Sequence, residues 1–256
     1  MIDLKSHPYI KLYISGAIFV LILLIILDII FLENWKDIIV EVHGLLFDIL
    51  FFGLIFTLYA SYTERKMKIE SYKDEIDDYR FWMDEQATYR IVGLIKRLNK
   101  LNVSSIKLDY CNLKEAALWE TNLKDSSFIE ADMKGIYLRK SIVTNSDFLR
   151  ANLKNSLLIK ADFSYSSFKN ADLSGSDLRE ANFLRADFTN IKSLNKAKVH
   201  NLNWIDNLSK LEVKGIEHIE NKYFIDKKPY IGKTAHGNEF TFYLIKTKRQ
   251  IKKNNA

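Results

Sequence analysis

Five histidines, one cysteine and a single Gly-Lys-Thr are the raw material for catalysis or metal binding in this 256-residue chain. His7, His43, His200, His218 and His236 stand at no metal-ligand spacing, and none has another histidine or a cysteine within a few residues. Cys111 is alone, which excludes an intrachain disulfide, a four-cysteine zinc site and a CxxC redox pair. Gly232-Lys233-Thr234 matches the end of a phosphate-binding loop, but the earlier glycine such a loop needs is replaced by Lys227. Serines abound without a Ser, His and Asp arrangement. The chain is read as a non-enzyme with no cofactor and no metal. Two carboxylates, Asp28 and Asp48, stand out instead, because each interrupts an apolar run.

Those runs come first among the elements that position chemistry here. Residues 12–32 read LYISGAIFVLILLIILDIIFL with one charge, and as a helix they reach ~31 Å, against ~30 Å of bilayer hydrocarbon. The exit, Glu33-Asn34-Trp35-Lys36, lacks a small-residue cleavage site, so the run reads as an uncleaved anchor rather than a signal peptide. A second run covers 44–62, and the intervening ENWKDIIVEVH is long enough for a hairpin turn. Lys5 and Lys11 precede the first run, Arg65, Lys66, Lys68 and Lys73 follow the second, and only Lys36 lies between. By the Lys/Arg bias the expectation is a multi-pass protein of the inner or plasma membrane with both termini cytoplasmic. Asp28 and Asp48 then both sit ~6 Å below the outer surface, where an interfacial role competes with an ion or proton role.

After Tyr62 the chain turns polar. Ile69, Tyr72, Ile76, Tyr79 and Met83 form one stripe of an amphipathic helix, long enough for a short coiled coil. Ile91, Leu94, Ile95, Leu98 and Leu101 continue it with a more apolar face suited to capping whatever follows. Phe81 and Trp82 read as packing residues.

From Ile106 to Asn190 the chain writes itself in fives: IKLDY CNLKE AALWE TNLKD SSFIE ADMKG IYLRK SIVTN SDFLR ANLKN SLLIK ADFSY SSFKN ADLSG SDLRE ANFLR ADFTN. The third residue is large and apolar in all 17 units, and the first is mostly small, with Ile106 and Ile136 as exceptions. A period of five fits neither a helix nor a straight strand, so the chain must bend once per unit. Inward residues two apart fit one short side of a coil. At a step of twenty the central residues sort into columns: Leu108, Phe128, Phe148, Phe168 and Phe188 in one, Leu118, Leu138, Leu158 and Leu178 in another. A step of fifteen mixes them, so each coil has four sides. These central residues are assigned as structural core.

ADLSG, ANLKN, ADMKG and ANFLR resemble the A(D/N)LXX units of the pentapeptide-repeat family, over about a third of the chain. The resemblance implies a right-handed quadrilateral β-helix. The fold class expected is therefore mixed: a two-helix transmembrane hairpin (1–62), an amphipathic helical stalk and N-cap (63–101), a right-handed four-sided β-solenoid (102–204), and a C-terminal cap with a basic tail (205–256). Ala197 and Val199 look like one further small-then-large pair, Leu202 to Leu208 can close the end, and Phe240 to Ile245 reads as a strand.

The net charge of +6 is uneven: residues 103–190 carry 12 basic and 12 acidic side chains, while 191–256 carry 14 and 6. Some members of the family imitate DNA toward topoisomerases through an acidic surface, which this balanced solenoid lacks, so nucleic acid is not an expected partner. The function expected is a membrane-anchored scaffold whose rigid cytoplasmic surface binds a macromolecular partner or a second copy, with the lipid bilayer as its other contact. The alternative is an oligomeric membrane effector or ion pathway formed by the hairpins.

Overall fold

The structure, a computed structural model, describes residues 15–20, 22–23, 25–26 and 36–248. The chain divides after Glu70 into two compact units. The described residues of the first apolar run are helical; Asp28 lies outside the described residues. Helix α1 spans Lys36–Asp78, so Lys36 to His43 continue a helix instead of forming the expected hairpin turn. That stretch holds neither glycine nor proline to stop it. From His43 onward α1 is long and apolar enough to cross a membrane, with a mean hydropathy of 1.9 in its most apolar window. Among the described residues it is one candidate span, where the sequence suggested a two-span hairpin. Thr57 and Thr63 donate their hydroxyls back to Gly53 O and Tyr59 O at 2.8 and 2.9 Å, which satisfies both polar groups on the helix itself.

In the second unit the stalk is not one continuous helix. α1 ends at Asp78, the backbone turns through Phe81 at φ 68°, and α2 (Glu85–Lys100) starts afresh. Asp84 caps it, its carboxylate accepting Ala87 N at 2.7 Å. The α2 face of Ile91, Leu94, Ile95 and Leu98 is buried, and polar side chains join the helix to the first coil. The Thr88 hydroxyl donates to Asn112 O, while Asn99 both donates to Asn122 O and accepts Asn122 N at 2.8 Å. These bonds occupy backbone groups that an open coil would leave to a stray strand. Ile76 is buried too, and Tyr72 lies beneath the Arg97 guanidinium at 5.7 Å. Tyr72 and Ile76 are therefore engaged inside the chain, which removes them from the expected coiled-coil seam, while Met83 of the same stripe stays exposed.

The repeats build coils of four five-residue sides. Parallel bridges join residues twenty apart, from Lys107↔Ser127 through Asp147↔Ser167 to Ser167↔Asp187. Each unit bends at its end, because the fifth residue of all 17 units has positive φ, between 53° and 70°. Only Gly135 and Gly175 adopt that conformation freely; for the others it costs about 1–2 kcal/mol apiece. The strain is offset by the ladder it allows, in which Glu130 N donates to Leu149 O at 2.8 Å and Ala131 N closes the corner on Phe128 O at 3.1 Å. Inside, Phe128, Phe148, Phe168 and Phe188 stack with centroids 4.8, 4.8 and 5.1 Å apart, matching the strand spacing. Leu108, Leu118, Leu138, Leu158 and Leu178 are wholly buried beside them. Ile106 and Ile136 are buried in the slot for a small residue, without disturbing the bridges of their coils.

One inner corner is a serine ladder. Ile106 N donates to Ser126 Oγ, Ser126 N to Ser146 Oγ and Ser146 N to Ser166 Oγ, at 3.1 to 3.2 Å. Each hydroxyl passes its own proton to a carbonyl, as Ser166 does to Val143 O. The hydroxyls thereby satisfy the coil backbone where the ordinary corner bond is absent.

After Asn190 the period slips. Leu194 takes the central place one residue late, and the bridges lengthen to twenty-one residues at Asp172↔Ser193 and Asp177↔Lys198. Ala197 and Val199 do form the further buried pair. Helix α3 (Trp204–Lys210) then leaves the coil and buries Trp204, Ile205 and Leu208 over its end, while Leu202 stays exposed. The coil resumes behind it, with Arg185 N donating to Leu211 O and Phe188 N to Lys214 O. The expected boundary at 204/205 thus cuts through the last coil. Gly215, at φ 78°, opens α4 (Ile216–Lys222); a Cβ there would meet Thr189 N at 2.6 Å. Strands β1 (Lys198–Val199), β2 (Tyr223–Ile225), β3 (Tyr230–Lys233) and β4 (Glu239–Thr247) close the molecule, with β4 antiparallel to all three others.

Candidate interaction surface

The residues that invited a catalytic reading are dispersed or structural. Gly232 and Lys233 lie in β3, where Lys233 pairs with Glu239 at 3.6 Å, so no loop cradles a phosphate there. No group of three or more His, Cys, Asp or Glu side chains that could hold a metal ion occurs among the described residues. Cys111 is buried in a small-residue slot, and burial pushes its thiol up to about 12. Asp48 is exposed on the apolar part of α1.

What the second unit offers is an exterior of regular pitch. With first and third residues inside, the second, fourth and fifth residues of each unit face outward in columns one strand spacing apart. Many second positions are Asp or Asn because the side chain accepts the backbone N–H two residues on, as Asp147 does from Leu149 N and Asp187 from Thr189 N. Fifth positions pair across coils: Lys140 with Glu120 at 3.1 Å, Arg150 with Glu130 at 2.9 Å, Lys160 with Glu180 at 3.2 Å.

The four faces differ in chemistry. The face of units starting at Cys111 stacks Lys114, Lys134 and Lys154, with Lys114 and Lys154 on Asp132 and Asp172 at 3.1 and 3.4 Å. On the face of units starting at Thr121, Arg185 lies over Tyr165 and reaches Glu212 at 2.7 Å, a hydrogen bond that raises the guanidinium's pKa and lowers the carboxyl's. The face of units starting at Ala116 is the most apolar and aromatic. Its second positions run Ala117, Tyr137, Leu157, Asp177 through successive parallel bridges, and its fourth positions run Trp119, Arg139, Ile159, Arg179. Trp119 is 54% exposed and Tyr137 40%. Lys96 of α2 stands over the Trp119 ring at 5.5 Å. At the far end Arg179 grips Asp177 through two 2.8 Å bonds and lies over Phe240 of β4 at 3.7 Å.

The sequence reading missed this face because it sorted only the first and third positions. The same step of twenty applied to the second and fourth positions brings Trp119, Tyr137, Leu157 and Ile159 together.

A family model described as pentapeptide repeats matches in eight copies over residues 106–145, 143–175 and 156–192. No curated protein matches the chain. Among solved structures, a pentapeptide repeat protein from Nostoc Pcc 7120 is 20% identical over 48% of this chain and 93% of its own, at a TM-score of 0.39. HetL from Nostoc sp. strain PCC 7120, a pentapeptide repeat protein involved in heterocyst differentiation regulation, is 21% identical over 36% of this chain and 53% of its own, at 0.24. Rfr23 from Cyanothece 51142 is 23% identical over 31% and 51%, at 0.19. The matched residues coincide with the coils whose sides, corners and stacked columns are described above, so residues 106–192 of this chain carry pentapeptide repeats.

Proposed function

We propose that this pentapeptide-repeat protein is a membrane-tethered scaffold, anchored through its N-terminal apolar segment, whose solenoid displays a rigid surface to a macromolecular partner on the cytoplasmic side. The observation that carries the reading is the contrast between a completed interior and a patterned exterior. Inside the coils the large side chains are stacked and the serine hydroxyls satisfied, while aromatic and charged residues stand outward in fixed columns. Binding by pre-set residues on a rigid frame avoids the ordering cost that loops incur on association. The anchor is supported by the exposed apolar surface of α1, including Leu45, Phe47, Phe52 and Phe56, which water does not favour.

The two parts are tested separately. The protein should resist extraction from membranes by alkaline carbonate, and a double substitution Phe51→Arg with Ile55→Arg should shift it to the soluble fraction; extraction of the unaltered protein would defeat the anchor. Reporters fused at each end then discriminate topologies, since a hairpin made with residues 12–32 puts both ends in the cytoplasm and a lone α1 span separates them.

Asp48 motivates a second reading, in which α1 helices assemble into an oligomeric ion pathway. An exposed carboxylate in an apolar stretch is costly in lipid unless it meets a partner or water. Asp48→Asn should then alter oligomer size in mild detergent or conductance in reconstituted bilayers, and indifference in both assays would dismiss the pathway.

A further inference from the structure

The face of units starting at Ala116 has a charge imbalance that specifies what can cover it. Its acids are spoken for: Glu120 pairs with Lys140, Glu180 with Lys160, and Asp177 with Arg179. Two cations flank its aromatic end without an acidic partner among the described residues. Arg139 stands exposed between Trp119 and Ile159 in the fourth-position column, and Lys96 projects over the Trp119 ring. Trp, Tyr and Arg are the side chains that most often anchor protein interfaces, and Leu157 and Ile159 extend the apolar ground beside them. Covering Arg139 with apolar matter alone strands a charge away from water, which costs several kcal/mol. A productive occupant therefore brings a carboxylate and sets apolar side chains around it.

Building on the scaffold reading, we propose that this face, centred on Trp119, Tyr137, Arg139, Leu157 and Ile159, is a docking site for a protein segment carrying an Asp or Glu flanked by aromatic or aliphatic residues. The carboxylate meets Arg139 and Lys96, and the flanking apolar groups lie on Tyr137, Leu157 and Ile159. Two other occupants fit less well. A nucleic acid backbone needs a broad basic field, and residues 103–190 carry equal numbers of basic and acidic side chains. A second copy docking face to face would set Arg139 and Lys96 against their own like.

The test is to pan a random peptide library displayed on phage against the full-length protein in phosphatidylcholine nanodiscs, with empty nanodiscs as background. Enriched peptides should carry Asp or Glu beside Phe, Leu, Ile or Trp. A synthetic peptide of the enriched sequence should bind at least about tenfold more weakly to W119A and to R139E, a difference of about 1.4 kcal/mol. R139E should in turn enrich basic peptides. Both side chains are exposed, so circular dichroism melts should match the unaltered protein, and R139Q serves as the milder variant if R139E melts early. Failure of any peptide to enrich, selection of uncharged or basic peptides by the unaltered protein, or displacement of the peptide by single-stranded DNA would overturn the proposal. So would self-association in nanodiscs abolished by W119A, which would assign the face to a second copy. A hit indifferent to Trp119 and Arg139 overturns this face yet leaves the scaffold reading standing.

Discussion

Phenylalanine is used in opposite ways in the two units. In α1, Phe47 is 68% exposed and Phe56 72%, whereas Phe128, Phe148, Phe163, Phe168, Phe183 and Phe188 of the solenoid have no exposed surface at all. The same side chain thus marks a region that supplies its own apolar environment and a region whose rings are left exposed. The two patterns already differ in sequence, a continuous run at 44–62 against one large apolar residue in five, and burial confirms that the repeat rings are enclosed.

The contrast is broken most directly by removing a ring from each side of it. Phe148→Ala takes a member out of the stack between Phe128 and Phe168 and should cost about 3–5 kcal/mol of solenoid stability in a denaturant titration. Phe52→Ala should leave that titration unchanged. A comparable loss in both would mean that α1 is packed as a core helix. Ser146→Ala probes the polar part of the interior. It deprives Ser126 N of an acceptor and Leu123 O of a donor, for an expected loss of about 1–3 kcal/mol, and an unaltered midpoint would show that water replaces the hydroxyl.

Cys111 sharpens the comparison through pH. Its folded pKa is raised by burial to about 12, while in the unfolded chain the thiol ionises near 9. The stabilisation is complete below the unfolded value and is lost as pH rises from there toward the folded one, at about 1.4 kcal/mol per pH unit. Cys111→Ala, which keeps a small residue in the slot, should flatten that slope between pH 9 and about 11 in stability measurements, relative to the unaltered protein. Rapid alkylation of the native thiol would show that the first coil opens readily. The smallest effect belongs to the exterior: Lys140→Ala, opposite Glu120 at 3.1 Å, should change stability by less than about 1 kcal/mol.

The solenoid was legible in the sequence because its interior obeys one rule at two positions in five. The step of twenty, the Phe and Leu columns and the extra pair at Ala197 and Val199 were all available from spacing alone. The corners were not: Glu115, Arg150 and Lys160 adopt positive φ, although nothing in their types favours it, because the ladder over-determines them. The break between α1 and α2 did carry a signal that went unread, since Asp84-Glu85 is an N-cap and an acidic first turn. The slip after Asn190 left one trace, since Ala197 and Val199 stand one residue later than the register of fives would place that pair. Ile191 and Leu194 look like ordinary apolar residues, and the twenty-one-residue bridges locate the inserted residue. The docking face was legible in principle, but the same periodicity was not applied to the outward positions.

The twenty-residue step also dictates what kinds of genetic change this chain can absorb. Loss or duplication of a whole twenty-residue block shortens or lengthens the stack yet returns every later side chain to its own column. An in-frame loss of five residues preserves the interior alternation just as well, but it turns everything downstream through a quarter revolution, so that Arg139 and Trp119 would no longer share a side. Selection on the outer columns would therefore be recorded less in the identity of the core residues than in the lengths of the insertions and deletions that related chains tolerate.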